Sequence, residues 1–183
     1  LNTDYIARFP EIDGDKLRMR LSEMLVGNGF FEIVTNSLTK PDYSRALGFE
    51  QRAVPMYNPL SEDLSVMRQS LLFSGLEVIA HNVNRQQKNL KFFEFGTTYA
   101  HQNDKYLEAK ELVIFMTGNR LSESWKASSE PVSFHDLSSH IWRIFNRFGI
   151  IEVVQTPLDD PLFSYGLQLT YQEETVAKLG KVD

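Results

Sequence analysis

The first clear pattern in the chain is a helical repeat of apolar residues near its start. Apolar positions recur at i, i+4, i+7 and i+8 and predict an amphipathic helix over residues 13–28. Asp13 is placed to cap its N-terminus, and Gly27 and Gly29 favour its end. The apolar stripe consists of Leu17, Leu21, Met24 and Leu25.

This stripe has two interpretations. It is either the face by which the helix packs on the core of its own domain or a face that binds another subunit. Met19 and Val26 lie on the opposite side, so the helix is not polar around the rest of its circumference. The pattern alone leaves both interpretations open.

Further along, strand-like and helix-like patterns are mixed without regular alternation. The last two strands have the spacing of a hairpin, and this favours antiparallel pairing. We therefore predict an α+β domain over 1–183, with a largely antiparallel sheet flanked by helices, and a polar loop over 118–131 that contains Trp125. Predicted strands cover 30–38, 54–57, 90–99, 112–117, 151–155, 166–171 and 175–179, and predicted helices begin near Ser70 and at Asp136.

Composition excludes several classes of protein. The chain has 183 residues, 42% of them hydrophobic, and no cysteine, which rules out disulfides and cysteine-ligated metals. A net charge of −5 argues against a dedicated nucleic-acid binder. No segment has the length to span a membrane and no signal peptide is recognisable, so we expect a soluble protein, and the absence of cysteine fits a cytoplasmic location. The chain begins with Leu1 and has no terminal signal at its end, which suggests an excised domain.

Familiar catalytic motifs are absent from the sequence. There is no phosphate-binding loop, dinucleotide fingerprint, zinc-protease motif or nucleophile elbow. His135, Asp136 and His140 form the closest group of metal-ligand types, yet a helix starting at Asp136 would not bring them to one ion. Ser133 with His135 and Asp136 is likewise too compact in sequence for a catalytic triad, so a solvated helix start is the simpler interpretation.

Two features are candidates for contact with nucleic acid. Phe92, Phe93 and Phe95 would stack nucleobases if their strand were exposed, but we expect them to pack in the core, because a strand in the middle of so aromatic a domain normally packs against a helix. Arg68 and Arg85 flank the second long helix and could contact phosphate, although surface salt bridges are the commoner role.

A longer pattern points to a family. The run from Asn58 to Tyr99 combines an NPLS opening, an Arg followed by SLL, an Asn-rich helix end and an F-E-x-G strand. Together with GNGFFEIVTNSL before it and VSFHDLSSHI after it, this run resembles the core of the β-subunit of bacterial phenylalanyl-tRNA synthetase. His135 and Ser138 depart from the Phe and Lys that are commoner in the last of these motifs.

The resemblance implies a class II synthetase fold, similar to that of biotin ligases. It also implies an assembly of two α and two β subunits that joins phenylalanine to its tRNA, with the active site in the α-subunit. ATP and magnesium are then expected for the parent complex, whereas no cofactor, catalytic residue or metal is expected in this domain. The partners implied are the α-subunit and the phenylalanine tRNA, and no membrane.

Glu94 is the residue that sets this chain apart from catalytic relatives. Where class II catalytic domains present Arg in their motif 2, the resemblance aligns Phe93, Glu94, Phe95 and Gly96. A carboxylate would repel the phosphate that the Arg binds, so we expect a domain that forms no adenylate. The role implied is architectural, with Leu17, Leu21, Met24 and Leu25 at the α-subunit interface; the alternatives are an active biotin or lipoate ligase and an RNA-binding module.

Overall fold

The computed structural model of the chain describes residues 13–120 and 130–182. Four helices and nine strands, joined by two short 3₁₀ turns, follow one another in these parts of the chain. The helices are α1 (Gly14–Gly27), α2 (Pro41–Ala46), α3 (Leu72–Val83) and α4 (Phe134–Arg147). The strands are β1 (Phe31–Glu32), β2 (Leu38–Thr39), β3 (Val54–Pro55), β4 (Val66–Met67), β5 (Leu90–Gln102), β6 (Lys105–Thr117), β7 (Val154–Pro157), β8 (Phe163–Tyr171) and β9 (Glu174–Val182).

The strands form three three-stranded sheets, in the orders β1-β5-β6, β2-β4-β3 and β7-β8-β9. Among the described residues, five of the six strand pairs are antiparallel, and β1 and β5 run in parallel. The predicted α+β class with mostly antiparallel pairing is confirmed, and so is the hairpin of the last two strands.

The hairpin of β5 and β6 is the longest element and extends well past the predicted strands. Its two-residue turn is Asn103-Asp104, where both residues have positive φ, 51° and 58°, as a type I′ turn requires. The pairing runs without a shift from Leu90↔Thr117 to Gln102↔Lys105. The sequence pattern missed the outer half because residues there project beyond the core, where even the apolar Tyr106 and Leu107 are exposed.

The predicted strand over 30–38 is wrong. The structure has only the short strands β1 and β2, separated by an irregular segment over 33–37. Side-chain acceptors replace a strand partner at two positions: the Thr35 N–H donates to Glu94 Oε1 at 3.2 Å, and the Leu38 N–H donates to Asn36 Oδ1 at 3.0 Å. The many aromatic and β-branched residues of this stretch therefore predicted a longer strand than the structure contains.

Helices cover both faces of the β5-β6 hairpin. On one face Phe92 and Phe115 pack against α3, and on the other Phe93 packs with Leu25 of α1 and with Ile144 of α4. This alternation of neighbouring side chains between two faces is the strand periodicity that the sequence indicated. Gly75 of α3 lies against Phe115, with no room for a Cβ.

The fourth helix starts two residues before the predicted position. Ser133 caps it, accepting from the Asp136 N–H at 3.3 Å, while the Asp136 carboxylate accepts from the Ser133 N–H at 2.9 Å. This reciprocal arrangement is a capping box, in which Asp136 is the third helical residue rather than the cap. The apolar face of α4 packs on Leu169 and Leu179 of the β7-β8-β9 sheet.

Candidate functional site

Glu94 lies at the centre of the domain rather than in an open cleft. Its strand, β5, is covered on both faces, and its side chain is only 1% exposed. Arg68, which follows β4 and is 5% exposed, donates from Nη1 to Glu94 Oε1 at 2.8 Å. The expectation that Arg68 makes a surface salt bridge is therefore wrong, because its pair is buried.

A third residue completes this buried site. Thr35 donates from its hydroxyl to the Glu94 carboxylate at 2.8 and 3.0 Å, and its backbone N–H donates to Oε1 at 3.2 Å. The Thr35 hydroxyl also accepts from Arg68 Nη1 at 2.9 Å. The carboxylate is thus satisfied by a guanidinium, a hydroxyl and an amide, as a buried charge requires.

Arg68 forms hydrogen bonds through both its side chain and its backbone. Its Nε donates to the Thr97 carbonyl at 3.0 Å, its backbone N–H donates to the Ser37 carbonyl, and its own carbonyl accepts from the Tyr99 N–H at 2.9 Å. Gly96 gives it room, since a Cβ there would overlap the guanidinium. The network therefore joins the small β2-β4-β3 sheet to the long hairpin.

This geometry changes what Glu94 can do chemically. The repulsion of phosphate expected from the sequence assumed an uncompensated carboxylate facing a ligand. Arg68 instead compensates the charge, and neither group is accessible to a nucleotide. The arrangement lies at the meeting point of two sheets, and its two charges bond to each other.

Little in the sequence indicates this network. Arg68 stands in the run VMRQSLL, between two pairs of apolar residues, and an arginine that is buried in such a run is almost always paired. Thr35, in a strand-like stretch, carries no distinguishing signal. Its role depends on a contact with a residue 59 positions away, which only the fold creates.

The apolar stripe of α1 belongs largely to the core of this chain. Leu21 and Leu25 are 9% and 2% exposed, and Leu25 packs with Phe30 and Phe93. Met24 is half-buried, and Leu17 is 36% exposed at the margin. Two of the four predicted interface residues therefore have almost no surface left for a partner.

Other apolar residues near α1 are exposed. On the outer side of the helix, Met19 and Val26 are 56% and 57% exposed. Phe31 of β1, the edge strand beside α1, is 70% exposed, and Val34 just after it is also exposed. Arg18 Nη2 lies 2.8 Å from Glu32 Oε1, and this ion pair connects α1 to β1.

The three phenylalanines of β5 do not form a base-stacking platform. Phe92 and Phe93 are buried, and the Phe95 ring lies edge-on to Phe93 with 5.8 Å between centroids. The core interpretation of these aromatic residues is confirmed. Arg85 lies at the exposed end of α3 and donates to the His81 carbonyl at 3.1 Å.

The histidines near α4 have separate environments. The His140 ring packs edge-on against Phe30, with 4.9 Å between centroids, and its burial, together with Lys91 and Arg143, lowers the pKa of the imidazole. The Asp136 carboxylate accepts a hydrogen bond from the Ser133 hydroxyl and forms an ion pair with Arg120 Nη2 at 2.9 Å. These contacts lower the pKa of the Asp136 carboxyl. Among the residues described, no group of three or more potential ligands could hold a metal ion.

Trp125 and most of the predicted loop over 118–131 lie outside the described residues, although Asn119 and Pro131 at its ends form a bridge. Within the described parts of the chain, no helix combines the length and the apolar character needed to cross a membrane.

Comparison with solved structures identifies the fold. A pyrrolysyl tRNA synthetase from Desulfitobacterium hafniense superimposes with a TM-score of 0.63 over 91% of this chain and 55% of that chain, at 16% identity. A second structure of this enzyme gives 0.61 over 89% of this chain and 57% of that chain, at 19% identity. The predicted class II synthetase-like fold is confirmed.

Sequence comparison identifies the family. Phenylalanine–tRNA ligase beta subunits are 40% identical over 166 residues in Bacteroides fragilis and 37% identical over 182 residues in Bacteroides thetaiotaomicron. These matches cover 84% and 92% of this chain, but only 20% and 22% of the relatives, so the chain spans about a fifth of their length. Residues 10–183 match the family described as the phenylalanyl tRNA synthetase beta chain CLM domain, and the chain belongs to that family.

Proposed function

We propose that this chain is a non-catalytic core domain of the beta subunit of a phenylalanine–tRNA ligase. The observation that carries the proposal is the match to the beta-chain CLM family over residues 10–183. In this proposal the chain forms one domain and acts in the cytoplasm as part of protein synthesis. The two alternatives, a biotin or lipoate ligase and an RNA-binding module, lose their support because the match covers nearly the whole chain.

The chemistry is proposed to take place in a partner α-subunit, within an assembly of two α and two β subunits. ATP and magnesium are then bound by that subunit, and the phenylalanine tRNA is bound by the complex. The buried pair of Arg68 and Glu94 supports an architectural role for this domain, because these two charged side chains bond to each other and join two sheets.

The proposed contact with the α-subunit involves the outer side of α1 and the neighbouring edge of β1. Leu21 and Leu25 hold the helix on its own domain, so the surface available to a partner is that of Met19, Val26 and Phe31, with Leu17 at its margin. Exposed apolar side chains grouped at a sheet edge are typical of protein interfaces. This replaces the buried half of the stripe proposed from the sequence.

A co-purification experiment tests this interface. In the full-length beta subunit, the double substitution Met19→Glu and Val26→Glu should leave folding intact, because both side chains are more than half exposed, and should weaken retention of the α-subunit. A matched control is Tyr106→Glu with Leu107→Glu, two exposed apolar residues at the tip of the hairpin. Equal retention by the two double variants would contradict the interface.

Calorimetry tests the non-catalytic role separately. Titration of ATP and magnesium into the beta subunit alone should give no saturable heat, whereas the assembled enzyme should give one. A magnesium-dependent heat from the beta subunit alone, lost on mutation within this domain, would overturn the proposal. Substitutions of Leu21 or Leu25 are unsuitable for either test, because the loss of either buried side chain would destabilise the packing of α1 on the core of the domain.

A further inference from the structure

The turn at the end of α1 has a chemically reactive sequence. Asn28 is the only asparagine in the 183 residues that is followed directly by a glycine, Gly29. In such a pair the main-chain nitrogen of the glycine can attack the side-chain amide carbon of the asparagine, because a glycine has no Cβ to obstruct the approach. The new N–Cγ bond closes a succinimide ring, the Cγ–Nδ2 bond breaks, and Nδ2 leaves as ammonia with the amide proton. Water then opens the ring to aspartate or isoaspartate.

The same glycine is needed to end the helix. Gly29 has a φ of 82°, in the left-handed region that glycine adopts without strain. Its N–H donates to the Val26 carbonyl at 2.9 Å, and the N–H of Phe30 donates to the Leu25 carbonyl at 3.1 Å. This pair of hydrogen bonds is a Schellman motif, completed by the apolar contact between Phe30 and Leu25. The residue that closes α1 therefore also makes Asn28 reactive.

Hydrogen bonds hold all three groups that take part in the reaction. The attacking nitrogen, that of Gly29, is bonded through its hydrogen to the Val26 carbonyl. The leaving nitrogen, Asn28 Nδ2, donates to the Met24 carbonyl at 2.7 Å, and Asn28 Oδ1 accepts from Arg143 Nη1 at 3.1 Å. Ring closure requires the Asn28 side chain to turn towards the Gly29 nitrogen, since the two atoms that bond must come into near contact. That movement breaks both side-chain hydrogen bonds.

Arg143 connects this turn to a distant part of the chain. It belongs to α4 and lies 115 positions after Asn28, whereas the other hydrogen bonds are made within the end of α1 itself. The neighbouring Ile144 packs on the core cluster of Leu25 and Phe30, so the core holds α4 beside the turn. The packing of α4 on α1 therefore restrains the Asn28 side chain.

A guanidinium at this carbonyl oxygen acts on the reaction in two opposite ways. It stabilises the negative charge that develops on the oxygen during attack, which speeds the reaction. It also fixes the side chain in the orientation that the fold imposes, which slows the reaction. The second effect should dominate, because the contact with Arg143 is made while Asn28 Nδ2 is bonded back to Met24, and not in the turned position that attack requires.

Conversion would weaken the end of α1. Neither product has the Nδ2 donor to the Met24 carbonyl, and isoaspartate also adds a carbon to the main chain before Gly29. Both products carry a new negative charge at the C-terminus of a helix, where the helix dipole disfavours it. The hydrogen bonds that end the helix should therefore open more often in the converted chain.

We propose that Asn28 is a site of spontaneous deamidation and that its contact with Arg143 of α4 keeps the reaction slow in the folded protein. Conversion then occurs from the small population of molecules in which the end of α1 has opened. Water is the co-reactant, and it has access because Gly29 is exposed. The proposal does not depend on the proposed role of the chain in a tRNA ligase.

Peptide mass spectrometry of the full-length beta subunit measures the conversion. The protein is incubated at mildly alkaline pH, and the fragment that contains Asn28 is followed for the mass gain that accompanies exchange of an amide for a carboxylate. Conversion should be slower in the folded subunit than in the same chain unfolded in urea, by about tenfold or more. Equal rates in the two states would overturn the proposal, as would an unfolded chain that does not convert.

Two arginine variants test the role of α4. Arg143→Ala removes the donor to Asn28 Oδ1, and the conversion of Asn28 in the folded subunit should become faster by about tenfold. Arg147→Ala is the matched control, because it removes an exposed arginine one turn later on the same helix, and its rate should equal that of the unsubstituted subunit. An unchanged rate in Arg143→Ala would overturn the proposal. A lower rate would also overturn it, by showing that the guanidinium assists the attack.

Urea unfolding of both variants separates a local effect from a general loss of stability. The free energies of unfolding of Arg143→Ala and Arg147→Ala should be similar, since both side chains are exposed. If the faster conversion in Arg143→Ala came with an equal loss of global stability, the reaction would proceed through global unfolding. That result would overturn local control by Arg143.

Discussion

Arg68 Nη1 lies 2.8 Å from Glu94 Oε1, with both side chains almost completely buried. The pair connects the end of β4 to the middle of β5 and therefore fixes the small β2-β4-β3 sheet on the long hairpin. A buried ion pair contributes little net stability over an apolar replacement, but the loss of one partner leaves an uncompensated charge. This asymmetry leads to the first prediction.

Arg68→Met should lower the free energy of unfolding by about 3–5 kcal/mol, because Glu94 would remain buried without its guanidinium. Adding Glu94→Leu to this variant should recover much of the loss, since the second charge is removed as well. Urea unfolding of the two single variants and the double variant measures the coupling. Additive losses would show that the two side chains do not act as a pair.

Gly96→Ala should destabilise the domain by about 1–3 kcal/mol, because the new methyl group would overlap the Arg68 guanidinium and lie 2.5 Å from Leu71 Cδ2. Thermal unfolding measures this effect. Gly14→Ala is the matched control, since a Cβ at that helical position has no heavy atom within 4 Å and should be neutral or stabilising. Equal melting temperatures for the two variants would contradict the packing described around Arg68.

Stability should fall as the pH is lowered through the range in which histidine titrates. Burial lowers the pKa of His140, assisted by Lys91 and Arg143 and opposed by Asp136, so the unfolded chain takes up its proton first. Below the ordinary value of 6.5 the unfolded state therefore binds more protons and is favoured. His140→Gln should reduce the slope of unfolding free energy between about pH 7 and about pH 5. An unchanged slope would show that His140 makes no contribution.

Ser133→Ala should cost about 1 kcal/mol of unfolding free energy by removing one half of the capping box of α4. The loss should be local, so amides in the first turn of the helix should exchange faster than those near Phe145. Ser139→Ala serves as the control, because the Ser139 hydroxyl only donates to the Asp136 carbonyl within the helix. A larger effect at Ser139 would be inconsistent with the observed cap.

Local patterns predicted the elements that depend on neighbouring residues. The cap at Asp13, the stripe of α1 and the final hairpin were all recovered, because each reflects interactions over a few positions. The prediction of a strand over 30–38 was wrong because Thr35, in its middle, bonds to the Glu94 side chain instead of to a neighbouring strand. The predicted strand ends on the long hairpin were too short because residues beyond the core are exposed on both faces and show no burial pattern.

The sequence by itself determined the family, the α+β class and the helical stripe of α1, since motif order and periodicity are properties of the linear chain. Only the tertiary structure decided the environment of each side chain. Leu25 became core, and Glu94 gained a guanidinium from a residue 26 positions earlier. Burial and charge compensation depend on contacts between distant segments, so no local pattern could reveal that Glu94 joins two sheets.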